Sequence, residues 1–493
     1  MADDNKQLDG GKASVPTLPK VNNDAKVLTQ TYRIKVITPL VGGGVDPGEN
    51  DPVTLIRVPE IRGHLRFWWR ATAGAQYNDS QALRNAEKEI WGDTNTPSRI
   101  SLSVRIENQG AAIPVAQEKT KKTRDGKLKK YLEFQQNFPG YALFPFQGAI
   151  ANNVLTDPPK RVTCDLIFDL HVKIDRSLSD KQVDEVKTSL WAWTNFGGLG
   201  ARTRRGCGAL YCDKFAPGSS DILEWLRNAK KNVYFSGPKT EASSWPYFFR
   251  FIAVGAKPQS PIEAWCAAVS PMQTFRQGKD IGRNGPSDLS NPKKMGRSLW
   301  PEADSLRSIS GIGQTVIRDH RSPITLTSEN LKNTPGFPRS EFGLPIVMHF
   351  MKPSEKELKP AGISPKIAAK ETDSPNDCQL YPYDPSSDNQ LKRMASPVIL
   401  RPLAFGDGTK AVPLVLILNA PRPKGVRIES DTVQLNGKKF GEKSVADPCL
   451  ADYESSPMKK YRLNEHNVTG SALESFMKFV QSAKGGSFKE VTL

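Results

Sequence analysis

The stretch NFGGLGARTRRGCGAL, residues 195–210, has five glycines and three arginines among its sixteen positions. It follows a segment of helical spacing and precedes a short strand-like segment, GCGALYCDKF. Because glycine has no Cβ, several backbone N–H groups of such a loop can point outward and approach an anion closely. The stretch therefore predicts a helix, a phosphate-binding loop and a strand in that order.

The side chains of this glycine loop add donors that suit phosphate oxygens, namely forked guanidinium groups and one hydroxyl. We expect a surface site formed by Gly197, Gly198, Gly200, Arg202, Thr203, Arg204 and Arg205. The alternative is a mobile loop with a solvated arginine cluster, and composition alone does not separate the two. The P-loop pattern is missing, and both it and the Rossmann fingerprint begin after a strand and open a helix, the reverse of the order here.

Around this loop, residues 28–216 alternate between strand and helix periods. Residues 31–40 alternate, with Tyr32, Ile34 and Val36 on one face. The next segments are a helix at 59–74, a shorter helix at 80–92, strands at 98–108 and 161–173, and a helix at 179–194. The order strand, helix, strand, strand, helix, strand is the ferredoxin-like arrangement, which many RNA-binding modules share. We expect Ile106 and Cys164 to face inward on their strands.

The remaining chain is patterned more weakly. Residues 1–27 are polar without periodicity, which predicts a flexible N-terminal tail. Residues 217–493 contain four apolar strand-like runs and a helical pattern at 470–483, which predict a second, degenerate sheet-and-helix domain. Long polar segments separate these elements and predict loops at 279–335, 352–392 and 421–470.

Composition limits the class of protein. Lys and Arg outnumber Asp and Glu by 69 to 52, a net charge of +17, which suggests a polyanionic partner such as nucleic acid or an anionic membrane. The longest apolar run, AVPLVLILNA, is too short to span a bilayer, and the N-terminus lacks the apolar core of a signal peptide. We therefore expect a cytoplasmic protein. The six cysteines form no C-x-x-C pair, so neither a zinc site nor a disulfide framework is indicated.

Residues 114–160 do not fit the regular pattern of the first domain. Between Lys119 and Lys130 the chain carries seven basic residues and a single acid, Asp125. This segment predicts a basic hairpin or a flexible loop.

Several motifs resemble a known family. IRGHLRFWWRA at 61–71 and EIWGDT at 89–94, together with the glycine loop, are similar to the RAMP superfamily and specifically to the first RAMP subunit of the Cmr complex, the type III-B CRISPR effector. FPRSEFGLPI at 337–346 and RMASPVILRPL at 393–403 resemble the second half of that subunit. The resemblance covers most of residues 30–215.

This resemblance implies an α+β fold of two ferredoxin-like (RRM-like) RAMP domains with long loop insertions, and a subunit without catalysis, cofactor or metal. The implied partners are the CRISPR guide RNA, contacted in its 3′ part, the target RNA paired with it, and the other RAMP subunits of the ribonucleoprotein. The glycine loop becomes RNA-facing.

The helix motif adds basic residues at a spacing of four, which places them on one helix face able to follow phosphates. These residues are Arg62, Arg66 and Arg70. The alternative is a solvated or carboxylate-paired arginine stripe. Trp68 and Trp69 are expected in the core, with base stacking as the alternative.

Two enzymatic alternatives and one binding alternative stay open. A RAMP endoribonuclease that uses histidine as general base has five candidates, His64, His171, His320, His349 and His466. Target cleavage by Asp46, with Glu49 and Asp51 near a divalent ion, is the second. A basic adaptor that binds only proteins through the long loops of the second half is the third.

Overall fold

The structure, a computed structural model, describes most of the chain from Val27 to Val491. The described residues are 27–44, 48–51, 53–123, 125–232, 245–283, 285, 296, 298–303, 305–306, 336–349, 378–429, 443–446 and 471–491. The predicted tail before Val27, Asp46, His320 and His466 lie outside the described residues.

Seven helices are described. They are α1 (Val58–Ala71), α2 (Ser80–Trp91), α3 (Gly140–Leu143), α4 (Asp180–Phe196), α5 (Ile222–Asn232), α6 (Pro261–Gln277) and α7 (Ala472–Gln481). Local sequence explains two of their starts, because Ser179 before α4 and Ser260 before α6 each form a capping box with the residue three positions later.

Nineteen strands are described, ten before residue 212 and nine after it. The first ten are β1 (Val27–Val36), β2 (Ile100–Asn108), β3 (Ala111–Pro114), β4 (Ala116–Lys122), β5 (Leu128–Phe134), β6 (Ala149–Ala151), β7 (Val154–Asp157), β8 (Arg161–Cys164), β9 (Ile167–Asp175) and β10 (Leu210–Tyr211). The others are β11 (Tyr247–Val254), β12 (Ile346–Met348), β13 (Cys378–Asp384), β14 (Asn389–Gln390), β15 (Val398–Phe405), β16 (Lys410–Asn419), β17 (Gly425–Glu429), β18 (Lys443–Ala446) and β19 (Lys489–Glu490).

The first sheet has the order β10-β1-β9-β2 and is antiparallel throughout. Its register places Tyr32 opposite Leu170 and Leu102 opposite Val172. Helix α1 follows β1 and α4 follows β9, so the strand, helix, strand, strand, helix, strand order expected from the sequence is present here.

The second sheet has the order β15-β16-β11-β19, with α6 after β11 and α7 before β19. The strands of each sheet can be numbered by their order along the chain. With this numbering, neighbouring strands follow one another in the same order in the second sheet as in the first. The apolar runs predicted as strands in this half form β11, β12, β15 and β16, and the predicted closing helix is α7.

Helices α1 and α4 lie between the two sheets. Ile252 and Leu416, on one face of the second sheet, belong to the same apolar cluster as Trp68 of α1. Val415, on the other face, packs with Trp265 of α6. Since both faces of the second sheet are covered, its central strands are continuous apolar runs instead of alternating ones.

Two strands differ from the sequence prediction. Residues 161–173, predicted as one strand, form β8 and β9, because Asp165 has a left-handed φ of 58° that interrupts the extended backbone. Cys164 is consequently only half-buried, and Ile106 is 42% exposed because the apolar cluster beneath β2 ends near Val104. The inward assignment of Ile106 was therefore wrong, whereas Cys164 packs against the apolar cluster that contains Trp265.

A third sheet was missed by sequence. Strands β12, β13, β17 and β18 pair in that order, with β14 beside β13, around a small core that includes Leu380 and Ile428. Except for β12, which was predicted as a strand, they occupy segments predicted as loops at 352–392 and 421–470. The strands are short and separated by polar residues, so their alternation was hidden.

Candidate nucleic-acid interface

The glycine loop is packed between the two sheets and is not a surface loop. Gly197 and Gly198 are buried, and an added Cβ at Gly197 would lie 2.6 Å from the Trp193 carbonyl oxygen. Gly198 forms a bridge with Ala209, so the chain doubles back on itself. The expectation of an exposed loop was wrong because the second sheet, which sequence alone did not place, covers it.

The backbone N–H groups of the loop are largely used inside the protein. Ala201 N–H donates to Val41 O at 2.7 Å, and Gly208 N–H donates to Pro39 O at 2.9 Å. Gly200 N–H donates to the Glu60 carboxylate at 2.6 Å. A carboxylate from the first turn of α1 therefore accepts the hydrogen bond that a phosphate was expected to accept.

Glu60 is held as an anion in this position. Burial acts to raise its pKa, but the nearby His64 ring and the hydrogen bond from Gly200 N–H outweigh burial and lower the pKa below its usual value. The His64 ring nitrogen lies 3.6 Å from the Glu60 carboxylate. His64 thus has a structural partner on its own helix.

Arg204 and Arg205 join the glycine loop to strand β15. The Arg204 guanidinium donates to Ser396 O, just before β15, and Arg205 donates to Val398 O at 3.1 Å. Burial lowers the pKa of each arginine to about 10, and for Arg204 the neighbouring Arg205 contributes. These two side chains bind backbone carbonyls between the sheets.

Arg202 and Thr203, which directly precede Arg204 in the loop, are half-buried. Arg202 has a left-handed φ of 57°, and its guanidinium lies 5.4 Å from the centre of the Phe144 ring. Its Nε is buried without a hydrogen-bond partner among the described residues. This donor of Arg202 is therefore unsatisfied within the described part of the chain.

Arg401, in the middle of β15, binds the two ends of the loop at Gly197 and Leu210. It is fully buried and donates to Gly197 O at 2.5 Å, Leu210 O at 2.7 Å and Pro402 O at 2.9 Å. Burial lowers its pKa to about 9. Arg401 was not among the residues predicted from the sequence, although a charged side chain inside the apolar run VILRPLAF was a signal, because such a group needs buried partners.

The arginine stripe of α1 divides into paired and unpaired members. Glu87 of α2 is 5% exposed and accepts from Arg66 at 2.6 Å and from Arg70 at 2.9 Å. Arg62 is half-buried and forms no ion pair with a described residue. The carboxylate-paired alternative thus describes Arg66 and Arg70. Of these three arginines, only Arg62 has no carboxylate partner among the described residues and is available to bind a ligand.

We expect Arg70→Ala to lower the free energy of unfolding by about 2 kcal/mol, because it leaves the buried Glu87 carboxylate with half of its partners. Affinity for RNA should not change. Urea unfolding and RNA filter binding measure the two quantities, and Arg62→Ala is the control with little expected loss of stability. Weaker RNA binding by Arg70→Ala at unchanged stability would contradict the structural role.

The remaining sequence candidates are placed as follows. Trp68 and Trp69 are both buried, as expected, and Trp69 Nε1 donates to Glu185 at 3.0 Å. His171 contacts Thr31 Oγ1 at 2.9 Å on the polar face of β9. Within the described part of the chain, no three His, Cys, Asp or Glu side chains are grouped to hold a metal ion.

None of the described helices is both long and apolar enough to cross a membrane. The described cysteines are free thiols.

Comparison with known proteins identifies a family for the first half of the chain. Residues 33–211 match the RAMP superfamily. The CRISPR system Cmr subunit Cmr1-1 of Pyrococcus furiosus is 29% identical over 174 residues, which cover 35% of this chain and 44% of that protein. Subunit Cmr1-2 of the same organism is 27% identical over 188 residues, 36% of this chain and 92% of that protein.

Solved structures also align with most of this chain. The crystal structure of Cmr1 from Pyrococcus furiosus in the apo form aligns with 85% of this chain and 94% of its own, with a TM-score of 0.40 and 14% identity. A chain of the type III-B Cmr-beta complex bound to cognate target RNA and AMPPnP aligns with 80% of this chain and 94% of its own, with a TM-score of 0.37 and 14% identity. Residues 33–211 thus match the RAMP superfamily, and this part of the chain is similar in sequence to two Cmr1 subunits of the Pyrococcus furiosus CRISPR system.

Proposed function

We propose that this protein is a non-catalytic RNA-binding subunit of a type III-B CRISPR (Cmr) ribonucleoprotein, built from two ferredoxin-like domains at 28–216 and 217–493. It contacts the 3′ part of the guide RNA, the target RNA paired with it, and other RAMP subunits. The relation of its RAMP region to two proteins named as Cmr1 subunits carries the proposal. Its net charge of +17 fits a polyanionic partner.

A basic hairpin in the first half provides a surface for such a partner. Strands β4 and β5 pair so that Lys121 lies directly opposite Lys129. Like charges at directly opposed positions destabilise a strand pair, and a bound polyanion removes that repulsion. The hairpin therefore gains stability from a phosphate backbone.

The charges of this hairpin are only partly neutralised. Lys119 pairs with Glu133 at 2.9 Å, and Lys130 pairs with Glu118 at 2.8 Å. The three exposed lysines that form no ion pair with a described residue are Lys121, Lys122 and Lys129. We propose these three, with Arg62, Arg202 and Thr203, as the RNA-contacting side chains.

The triple variant Lys121→Ala, Lys122→Ala, Lys129→Ala is expected to bind RNA less tightly and with a weaker salt dependence. Each lost contact to single-stranded RNA makes the slope of log affinity against log salt shallower by about 0.7, so the slope should change by about 2. Affinity for two unrelated RNA sequences should fall equally, because phosphates carry no sequence information.

The matched control replaces Lys119 and Lys130, whose charges are already paired, and should change the slope much less. An unchanged slope in the triple variant would contradict the hairpin as an RNA surface. Labelled RNA incubated with magnesium or manganese should remain intact. Cleavage that disappears in His64→Ala or Asp46→Ala would instead favour the endoribonuclease alternative.

A further inference from the structure

Three arginines meet where the glycine loop approaches helix α6. Arg202 and Arg205 come from the loop, and Arg276 comes from the last turn of α6. Tyr141 of α3 and Phe144, immediately after α3, lie beside them. We call these five residues the arginine cluster.

The guanidinium groups of the cluster are held in place by neutral neighbours. Arg276 donates to the Tyr141 hydroxyl at 2.9 Å, Arg202 lies over the Phe144 ring, and Arg205 donates to Val398 O. The Nε atoms of Arg202 and Arg276 are both buried and have no hydrogen-bond partner among the described residues. Buried donors of this kind are rare in native proteins and usually serve an ion, a water molecule or a ligand.

The positive charges of the cluster also lack a counter-ion among the described residues. Among the described residues, no carboxylate forms an ion pair with Arg202, Arg205 or Arg276. By contrast, the neighbouring Arg339 pairs with Glu302 at 3.0 Å. Partly buried positive charges without a counter-ion are costly, and an anion removes that cost.

Burial and mutual repulsion lower the pKa values of two arginines in the cluster. Burial, with smaller contributions from the charges of Arg276 and Arg202, lowers the pKa of Arg205 to about 10. Burial also lowers the pKa of Arg202, and the charge of Arg276 adds to this effect. Both shifts oppose the charged form, which an anion would stabilise.

We propose that the arginine cluster binds one phosphate group, supplied in the assembled protein by the backbone of a bound RNA strand. Guanidinium forks match the oxygens of a phosphate, and the Tyr141 hydroxyl is a further donor. The Phe144 ring, which is 62% exposed, provides an apolar face beside that phosphate on which a base can stack. The RNA source of the phosphate rests on the function proposed above, whereas the phosphate site itself does not.

Thermal unfolding of the full chain tests the site with inorganic phosphate as the probe. Phosphate, compared with chloride at equal ionic strength, should raise the melting temperature of the parent, because a ligand of the native state stabilises it by mass action. Arg202→Gln and Arg276→Gln, judged separately, should each lose most of this increase. Arg105→Gln, an exposed arginine paired with Asp169, is the charge-matched control and should retain it.

An oligo-uridine strand then distinguishes the two sources of phosphate. Each cluster variant should bind it about tenfold more weakly than the parent and the control, the loss expected for one charge-assisted contact. If phosphate stabilises only the parent and control but RNA binds none of the proteins, the cluster is a site for free phosphate and the RNA function is wrong. If RNA binds parent and cluster variants equally, or phosphate stabilises all of them alike or none of them, the proposed site is overturned.

Discussion

Replacing Arg401 by methionine is expected to lower the free energy of unfolding by about 3 kcal/mol, measured as a shift of the urea midpoint. The arginine donates to three buried carbonyl oxygens, at Gly197, Leu210 and Pro402. Each acceptor left unsatisfied costs about 1–3 kcal/mol. Removing a buried charge offsets part of this loss, and the methionine side chain fills much of the same space. The net change in the free energy of unfolding is therefore set by the three unsatisfied carbonyl groups and is destabilising.

Two further variants define the cause of the Arg401 effect. Arg401→Lys keeps the charge but not the fork, so it should reach fewer of the three carbonyls and give an intermediate loss. Arg105→Met removes an exposed arginine that pairs with Glu107 and Asp169 and should leave the midpoint nearly unchanged. If Arg401→Met unfolds at the midpoint of the parent, the three carbonyls do not depend on this arginine.

Gly206→Ala is the second substitution with a large expected effect, a loss of about 3 kcal/mol in the free energy of unfolding. Gly206 has a φ of 78°, where a side chain is strained by about 1–3 kcal/mol. Its added Cβ would lie 2.6 Å from both Leu400 O and the Trp265 ring, and such overpacking costs about 1–3 kcal/mol. Trp265 cannot move away freely, since its Nε1 donates to Arg205 O at 2.6 Å.

Gly63→Ala is the matched control for this substitution. Gly63 lies inside α1, and an added Cβ would meet nothing within 4 Å. Alanine in an exposed helix position should therefore raise the free energy of unfolding by about 0.5–1 kcal/mol. A Gly206→Ala protein as stable as the parent would show that the loop can move away from the second sheet.

Both predictions reverse the role that the sequence suggested for the glycine loop. Bare backbone followed by arginines has the composition of a phosphate site, and the structure uses the same features for packing between two sheets. Arg204 and Arg205 donate from the loop to Ser396 and Val398, and Arg401 donates from β15 back to the loop. Sequence composition gives the donors of a loop but does not show which acceptors reach them.

The order of elements in the first sheet was predictable because its signals are local. The alternation of Tyr32, Ile34 and Val36 and the helical spacing of Ile61, Leu65 and Trp68 both correspond to buried faces in the structure. Strand β15 and helix α7 were predictable for the same reason. The third sheet was not, since its strands are too short for a period to stand out from the polar residues between them.

What the sequence alone determined about this protein is its basic charge, the periods of its longer helices and strands, and the RAMP motifs of its first half. These properties depend on residues close together in the chain. Only the tertiary structure decided that Glu87 neutralises Arg66 and Arg70, that Glu60 binds the glycine loop, and that Arg202 meets Arg276. Those pairs are 17 to 140 residues apart in the chain. Folding decides which carboxylate, carbonyl or guanidinium lies beside each arginine. That neighbour determines whether the arginine stabilises the fold or binds a ligand.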